Sequence, residues 1–331
     1  MLMSTPSITS VAPPCTIPGG RISLHGVGFP VAAGIPEVRI GSEPARVVFA
    51  SPTELAVIVA AQSGTHGVQL SGRDTGATVV VGIPVATGLH QVDNPVFDVA
   101  GNLYLTYSGT RGQQVPVSIF RITPGGTRES FSSSITNPTS MAFSPDGELY
   151  VSSRFEGAVY RLTDDGRAEV YASDLGIACG LACAPDGTLF VGDRSGTVFE
   201  VSKNGQTRAV ATLPSSVAAF HLALGPDGLY VSAPTLSARD AVYRVSFTGD
   251  VSVVHTGFGR PQGIAFAPDG TLHVVEALAG VSGLYRVAAG REPELVVAGP
   301  RLVGLAFNGT SDMIVCTSDT AYRIPLPNQG T

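Results

Sequence analysis

"FSPDGELYV", residues 143–151, decides how this chain is read. An apolar residue, a Pro-Asp-Gly turn and a short apolar run return as "CAPDGTLFV" at 183–191, "LGPDGLYV" at 224–231 and "FAPDGTLHV" at 266–274. "FDVAGNLYL" at 97–105 and "FNGTSDMIV" at 307–315 are weaker copies, and successive copies start 40 to 46 residues apart. Pro presets φ, Asp caps the turn and Gly takes the left-handed position, so each "PDG" is expected to join two strands of a hairpin and not to supply a catalytic Asp.

Working outward from the turn, the unit reads as four short strands: "TSMAFS", "ELYVSS", "AVYRLT" and "AEVYAS". Four strands repeating at about 40 residues are the signature of a β-propeller, and six copies predict six blades. Third strands recur as "IFRI" at Ile119, "VYRL" at Val159, "VFEV" at Val198, "VYRV" at Val242 and "LYRV" at Leu284, and "AYRIPLP" at Ala321 is the sixth. A fourth strand follows in the preceding repeats, as in "AEVYASDL" at Ala168 and "PELVVAGP" at Pro293, but none follows Ala321. "VVVGIPVATGLH", residues 79–90, precedes the first repeat and resembles the fourth strands. It is predicted to complete the last blade, joining the ends of the ring so that no inner edge is left free.

Composition narrows the function classes. The 331 residues are 44% apolar and 14% charged, with 40 Gly and 24 Pro, which suits a compact, turn-rich all-β protein. A net charge of -6 gives no basic footprint for nucleic acid, and no apolar run approaches the roughly 18–20 residues of a membrane helix. Lys203 is the single lysine and sits in the turn-like "SKNG", which argues against Schiff-base chemistry. Cys179 and Cys183 fall on one predicted strand, roughly 13 Å apart, too far for a disulfide. All four cysteines are expected to be reduced. The start, "MLMSTPSITS", lacks the charged and apolar regions of a signal peptide, so a cytoplasmic location is expected, export with a removed leader being the alternative.

Residues 1–78 lack the repeat. "PSITSVAPP" at Pro6, "GGRISLHGVGF" at Gly19 and "VRIG" at Val38 lie among short apolar runs and Gly/Pro turns, the pattern of a small β-sandwich. These motifs resemble the IPT/TIG immunoglobulin-like family, which implies a spacer or interaction module and no chemistry. The propeller is assigned residues 79–331.

In a propeller, functional groups gather where the innermost strands begin. Aligning the repeats puts Asp93, Thr139, Cys179, Phe220, Gln262 and Val303 there, with His221 one residue out of register and expected to point away. The ends of the second strands form an outer ring, from which Asp193 and Glu276 could approach Asp93 as general bases, loop capping being the other role for both.

"DNPVFD" at Asp93 and "RPQGIAFAPDG" at Arg260 resemble motifs of the SMP-30/gluconolactonase propellers, and residues 79–331 more loosely resemble NHL-repeat and virginiamycin-B-lyase-like propellers. The first resemblance implies a divalent cation that activates water against a lactone, with Asp93 and Gln262 at ligand positions and Cys179 and Phe220 where Asn is usual. One carboxylate and one amide are few ligands for Ca²⁺, Mg²⁺ or Mn²⁺, whereas an Asp/Cys/His set with His221 turned inward would suit Zn²⁺. Two further functions stay open: a non-catalytic propeller that binds a small molecule, glycan or protein, and a lyase, which would also need His221 inward.

Overall fold

The computed structural model describes residues 6–60, 62–278, 280–309 and 311–326. The readings of the chain's first five residues and of its last five, beyond Leu326, lie outside this range.

The first part is a sandwich built on alternation. Ile22, Leu24, Leu55, Val57, Val68, Leu70, Val79 and Val81 point into one core; Ser23, Gln69 and Val80 between them stay partly exposed, while Ala56 is buried as well. The final strand, Arg73–Val81, extends the sandwich past residue 78, so only the later part of 79–90 is free for the propeller.

The repeats fold as four-stranded antiparallel meanders. Their turns follow the expected chemistry: Asp186 and Asp269 accept the amides of Thr188 and Thr271 at 2.9 and 2.8 Å, and Gly187 and Gly270 adopt φ of 86° and 82°. These bonds, made first of all to the backbone, hold both carboxylates below their usual pKa. In the last repeat Ile83–Ala86 lies beside Ala321–Pro325, pairing Ala86 with Ala321 and Ile83 with Arg323. Ala86 and Leu89 then pack on Ile314 and Cys316.

The expected count of six blades is corrected. Five four-stranded sheets stand alone, while the repeat spanning residues 261–298 is the end of a twelve-stranded sheet that includes the sandwich. The joint is Cys15–Thr16, which pairs in parallel with Val80 and Val81 on one side and with Val297 and Ala298 on the other. Ile17 donates to the Ala298 carbonyl at 2.9 Å, and Thr16 Oγ1 donates to the same oxygen at 3.0 Å. Cys15 and Ile17 are buried with Val297, Leu302 and Ile324. An outer edge that would be open in an isolated blade is thus covered by the neighbouring domain.

Candidate functional site

Inner strands meet at the channel axis with little space. A Cβ added to Gly180 would sit 2.3 Å from the Phe220 carbonyl, and one on Gly304 would sit 2.5 Å from the Asp93 carbonyl. Side chains reinforce the ring. Asn94 Nδ2 donates to the Ile264 carbonyl at 2.7 Å, and its Oδ1 accepts the Leu305 amide at 3.0 Å, tying the first repeat to the last two. Ser152 and Ser232 donate to the carbonyls of Cys179 and Gln262 in the next repeat.

Above this ring lies a cavity of about 220 Å³. Thr139, Cys179, Gln262 and Val303 line it. Phe220 does not. The inner strands of four repeats shift register near their start, at Pro138/Met141, Ala178/Leu181, Pro261/Ile264 and Leu302/Gly304, whereas His221–Gly225 pairs without a shift. A register slip of one residue reverses which face a side chain takes. Phe220 therefore packs in the apolar cluster with Cys179 and Leu222, and Ala218 and Ala219 line the cavity in its place.

The absence of the shift leaves His221 turned toward Asp93, contrary to expectation. His221 Nδ1 lies 2.6 Å from Asp93 Oδ1, with both residues buried. That oxygen also accepts the Asn94 amide at 2.7 Å, which together with the imidazole places the hydrogen on Nδ1. His221 Nε2 is buried with no hydrogen-bond partner among the described residues. Gln91 supports the loop from behind: its Nε2 donates to the Asp93 carbonyl at 2.8 Å and its Oε1 accepts the Thr106 amide at 2.8 Å.

Asp193 and Glu276 cap loops. Asp193 accepts the Ile177 amide at 2.8 Å and the Ser195 hydroxyl, while Glu276 accepts the amides of Arg260 and Leu278 at 2.8 and 2.7 Å. Neither lines the cavity.

The wall also holds residues that the sequence reading did not single out, among them Arg154, Arg194 and His90. Arg154 and Arg194 occupy one position in consecutive repeats, just after the second strand, in "SSRFEG" and "VGDRSG". After the closing strand the chain runs back to the channel mouth and brings His90 onto the wall. Burial first, and then Arg154, pulls the His90 pKa below its usual value, so the imidazole is neutral near pH 7. Burial chiefly, with the nearby charge of Arg194, also lowers Arg154.

These residues do not fit a resident divalent cation. Asp93 faces His221, and Cys179 is buried in an apolar cluster with Phe220 and Leu222. Among the described residues no group of three or more His, Cys, Asp or Glu side chains could hold a metal.

Fold and site together define a β-propeller carrying an N-terminal sandwich. Residues 6–83 match the IPT/TIG domain family. No curated protein matches the chain. Among solved structures, an auxiliary nutrient binding protein from Bacteroides thetaiotaomicron is similar over 98% of this chain and 98% of its own, at 14% identity and TM-score 0.57. A candidate gluconolactonase is similar over 74% of this chain and 93% of its own, at 16% identity and TM-score 0.60. Virginiamycin B lyase from Staphylococcus aureus is similar over 75% and 87%, at 15% identity and TM-score 0.51. At these identities the likeness is one of fold.

Proposed function

We propose that this protein is a binding propeller that takes a small polar molecule in the cavity at its channel mouth. The observation that carries this reading is the division of labour between two layers. Hydrogen-bonding side chains, Thr139, Gln262, His90 and Arg154 among them, converge on the cavity, while the channel carboxylate Asp93 is held by His221 and lies off the wall. A concave site with a few convergent polar groups is a ligand site by its chemistry. At about 220 Å³ it is smaller than the roughly 300–1,000 Å³ of drug-sized sites, which limits the occupant to a small molecule. The nutrient-binding relative, similar over its full length, is consistent with this reading.

The hydrolase alternative needs a cation that these donors fit poorly. The lyase alternative gains support from the inward His221, but its imidazole is not on the cavity wall. The reading is tested by assaying lactone turnover on chelator-treated protein supplied in turn with Ca²⁺, Mg²⁺, Mn²⁺ and Zn²⁺. It expects no turnover above buffer with any ion; turnover that depends on a cation and is lost in Gln262→Ala would replace it with the hydrolase.

A further inference from the structure

We infer that the ligand of the channel mouth is an anion, a small molecule whose carboxylate or phosphate group is held between Arg154 and Arg194. The inference rests on the mouth being a binding site and goes beyond it by fixing the ligand's charge.

Four observations carry it. Arg154 and Arg194 are the charged residues among the described residues lining the cavity, and none of those residues is a carboxylate. Elsewhere in the propeller several arginines of the outer strands are matched, Arg121 with Glu129, Arg161 with Glu148 and Glu169, Arg208 with Glu200, and Arg286 with Glu294, while Arg128 lies over the Phe120 ring. Among the described residues neither Arg154 nor Arg194 has a carboxylate partner. Both guanidinium groups line the same concave site, Arg154 half-buried and Arg194 exposed, and the positive charge of Arg194 disfavours that of Arg154, so an anion at the site is favoured by both.

The third observation is the chemistry of the remaining wall. Gln262 adds a side-chain donor, and His90, neutral near pH 7, can donate through one ring nitrogen. The fourth is that the cationic mouth is local, since the chain as a whole carries a net charge of -6. A planar, permanently charged fork of N–H donors matches carboxylate and phosphate oxygens two at a time, which suits arginine better than lysine.

Isothermal titration calorimetry on the full chain, at low ionic strength, with sodium succinate, inorganic phosphate and glucose as probes, tests the inference. Succinate or phosphate is expected to bind, and whichever does names the anion. The double variant Arg154→Gln/Arg194→Gln is expected to weaken that binding at least tenfold, while Arg194→Lys, which keeps the charge, retains more of it than Arg194→Gln does. Glucose is expected to give no heat. If neither anion binds while glucose does, and its binding is lost on filling the cavity with Thr139→Trp, the anion inference is overturned and the binding site stands. If all three probes are silent, the inference is overturned with the reading beneath it. Anion binding that survives in the double variant overturns the role of the two arginines; an unchanged circular dichroism spectrum and melting temperature show that the variant is folded.

Discussion

The side chain of Asp93 turns to His221 inside the channel, whereas that of its neighbour Asn94 reaches across to the backbones of Ile264 and Leu305. Removing the carboxylate leaves a buried imidazole with neither nitrogen satisfied, since Nε2 already lacks a partner among the described residues. Asp93→Ala is therefore expected to cost about 1–3 kcal/mol in urea unfolding, the penalty of an unsatisfied buried polar group. Replacing both partners by apolar groups removes most of that penalty, so Asp93→Ala/His221→Leu is expected to be more stable than Asp93→Ala alone. If His221→Leu costs as much in the Asp93→Ala background as in the wild type, the pair is not coupled. At this scale the sequence was only partly legible. Thr139, Cys179, Gln262 and Val303 could be placed by counting from the Pro-Asp-Gly turns, because those strands share a register shift. Phe220 is off the cavity wall and His221 turns to Asp93 because their strand lacks the shift, and nothing in "AAFHLALG" announces its absence. Arg154 and Arg194 were legible in principle, as one residue type at one position in consecutive repeats, but they stand one residue past the strand ends that were aligned.

At the scale of the element, the inner strands approach one another backbone to backbone, and this contact sets both the width of the channel and the floor of the cavity. Gly180 has no room for a side chain: a Cβ there would stand 2.3 Å from the Phe220 carbonyl and 2.8 Å from the Leu222 amide nitrogen. Neither neighbour is the flexible end of a side chain. Gly180→Ala is expected to push the two inner strands apart and to cost roughly 1–3 kcal/mol, as overpacking does in a filled core. Gly147→Ala, which meets nothing within 4 Å but has a φ of 84°, serves as the comparison, losing stability through backbone strain alone and leaving the channel unchanged. Ligand affinity at the mouth separates the two: it should fall in Gly180→Ala and hold in Gly147→Ala. Equal affinities in both would show that the spacing of the inner strands does not shape the cavity. The hairpin turns themselves were readable because their chemistry is local. The register shifts are set between strands and were not.

Over the whole molecule, the sandwich and the propeller share one sheet through Cys15–Thr16, and a common apolar cluster joins Cys15 and Ile17 to Val297, Leu302 and Ile324. Domains linked by a flexible tether commonly unfold apart, whereas a shared strand and a buried core couple them. Scanning calorimetry is expected to give one transition for the full chain. Ile17→Asp, which places a charge in that cluster, is expected to lower its temperature and split it in two. Two transitions in the wild type would show that the domains melt independently. The repeat period and the family pattern of the sandwich made both domains visible in the sequence. Their fusion was not, because a two-residue parallel bridge carries no periodic pattern of its own.

The central claim is that the mouth of this channel binds a small polar ligand and does not house a resident cation. The most direct test is the thermal unfolding of chelator-treated protein with Ca²⁺, Mg²⁺, Mn²⁺, Zn²⁺ or succinate added in turn, for the wild type and for Thr139→Trp, which fills the cavity. A ligand that binds only the folded state at a hundredfold excess over its Kd stabilises by about 2.7 kcal/mol. The account predicts that succinate raises the melting temperature of the wild type and not of Thr139→Trp, while the cations leave both unchanged. A rise with a cation in the wild type that disappears in Asp93→Ala, with no response to succinate, would contradict it.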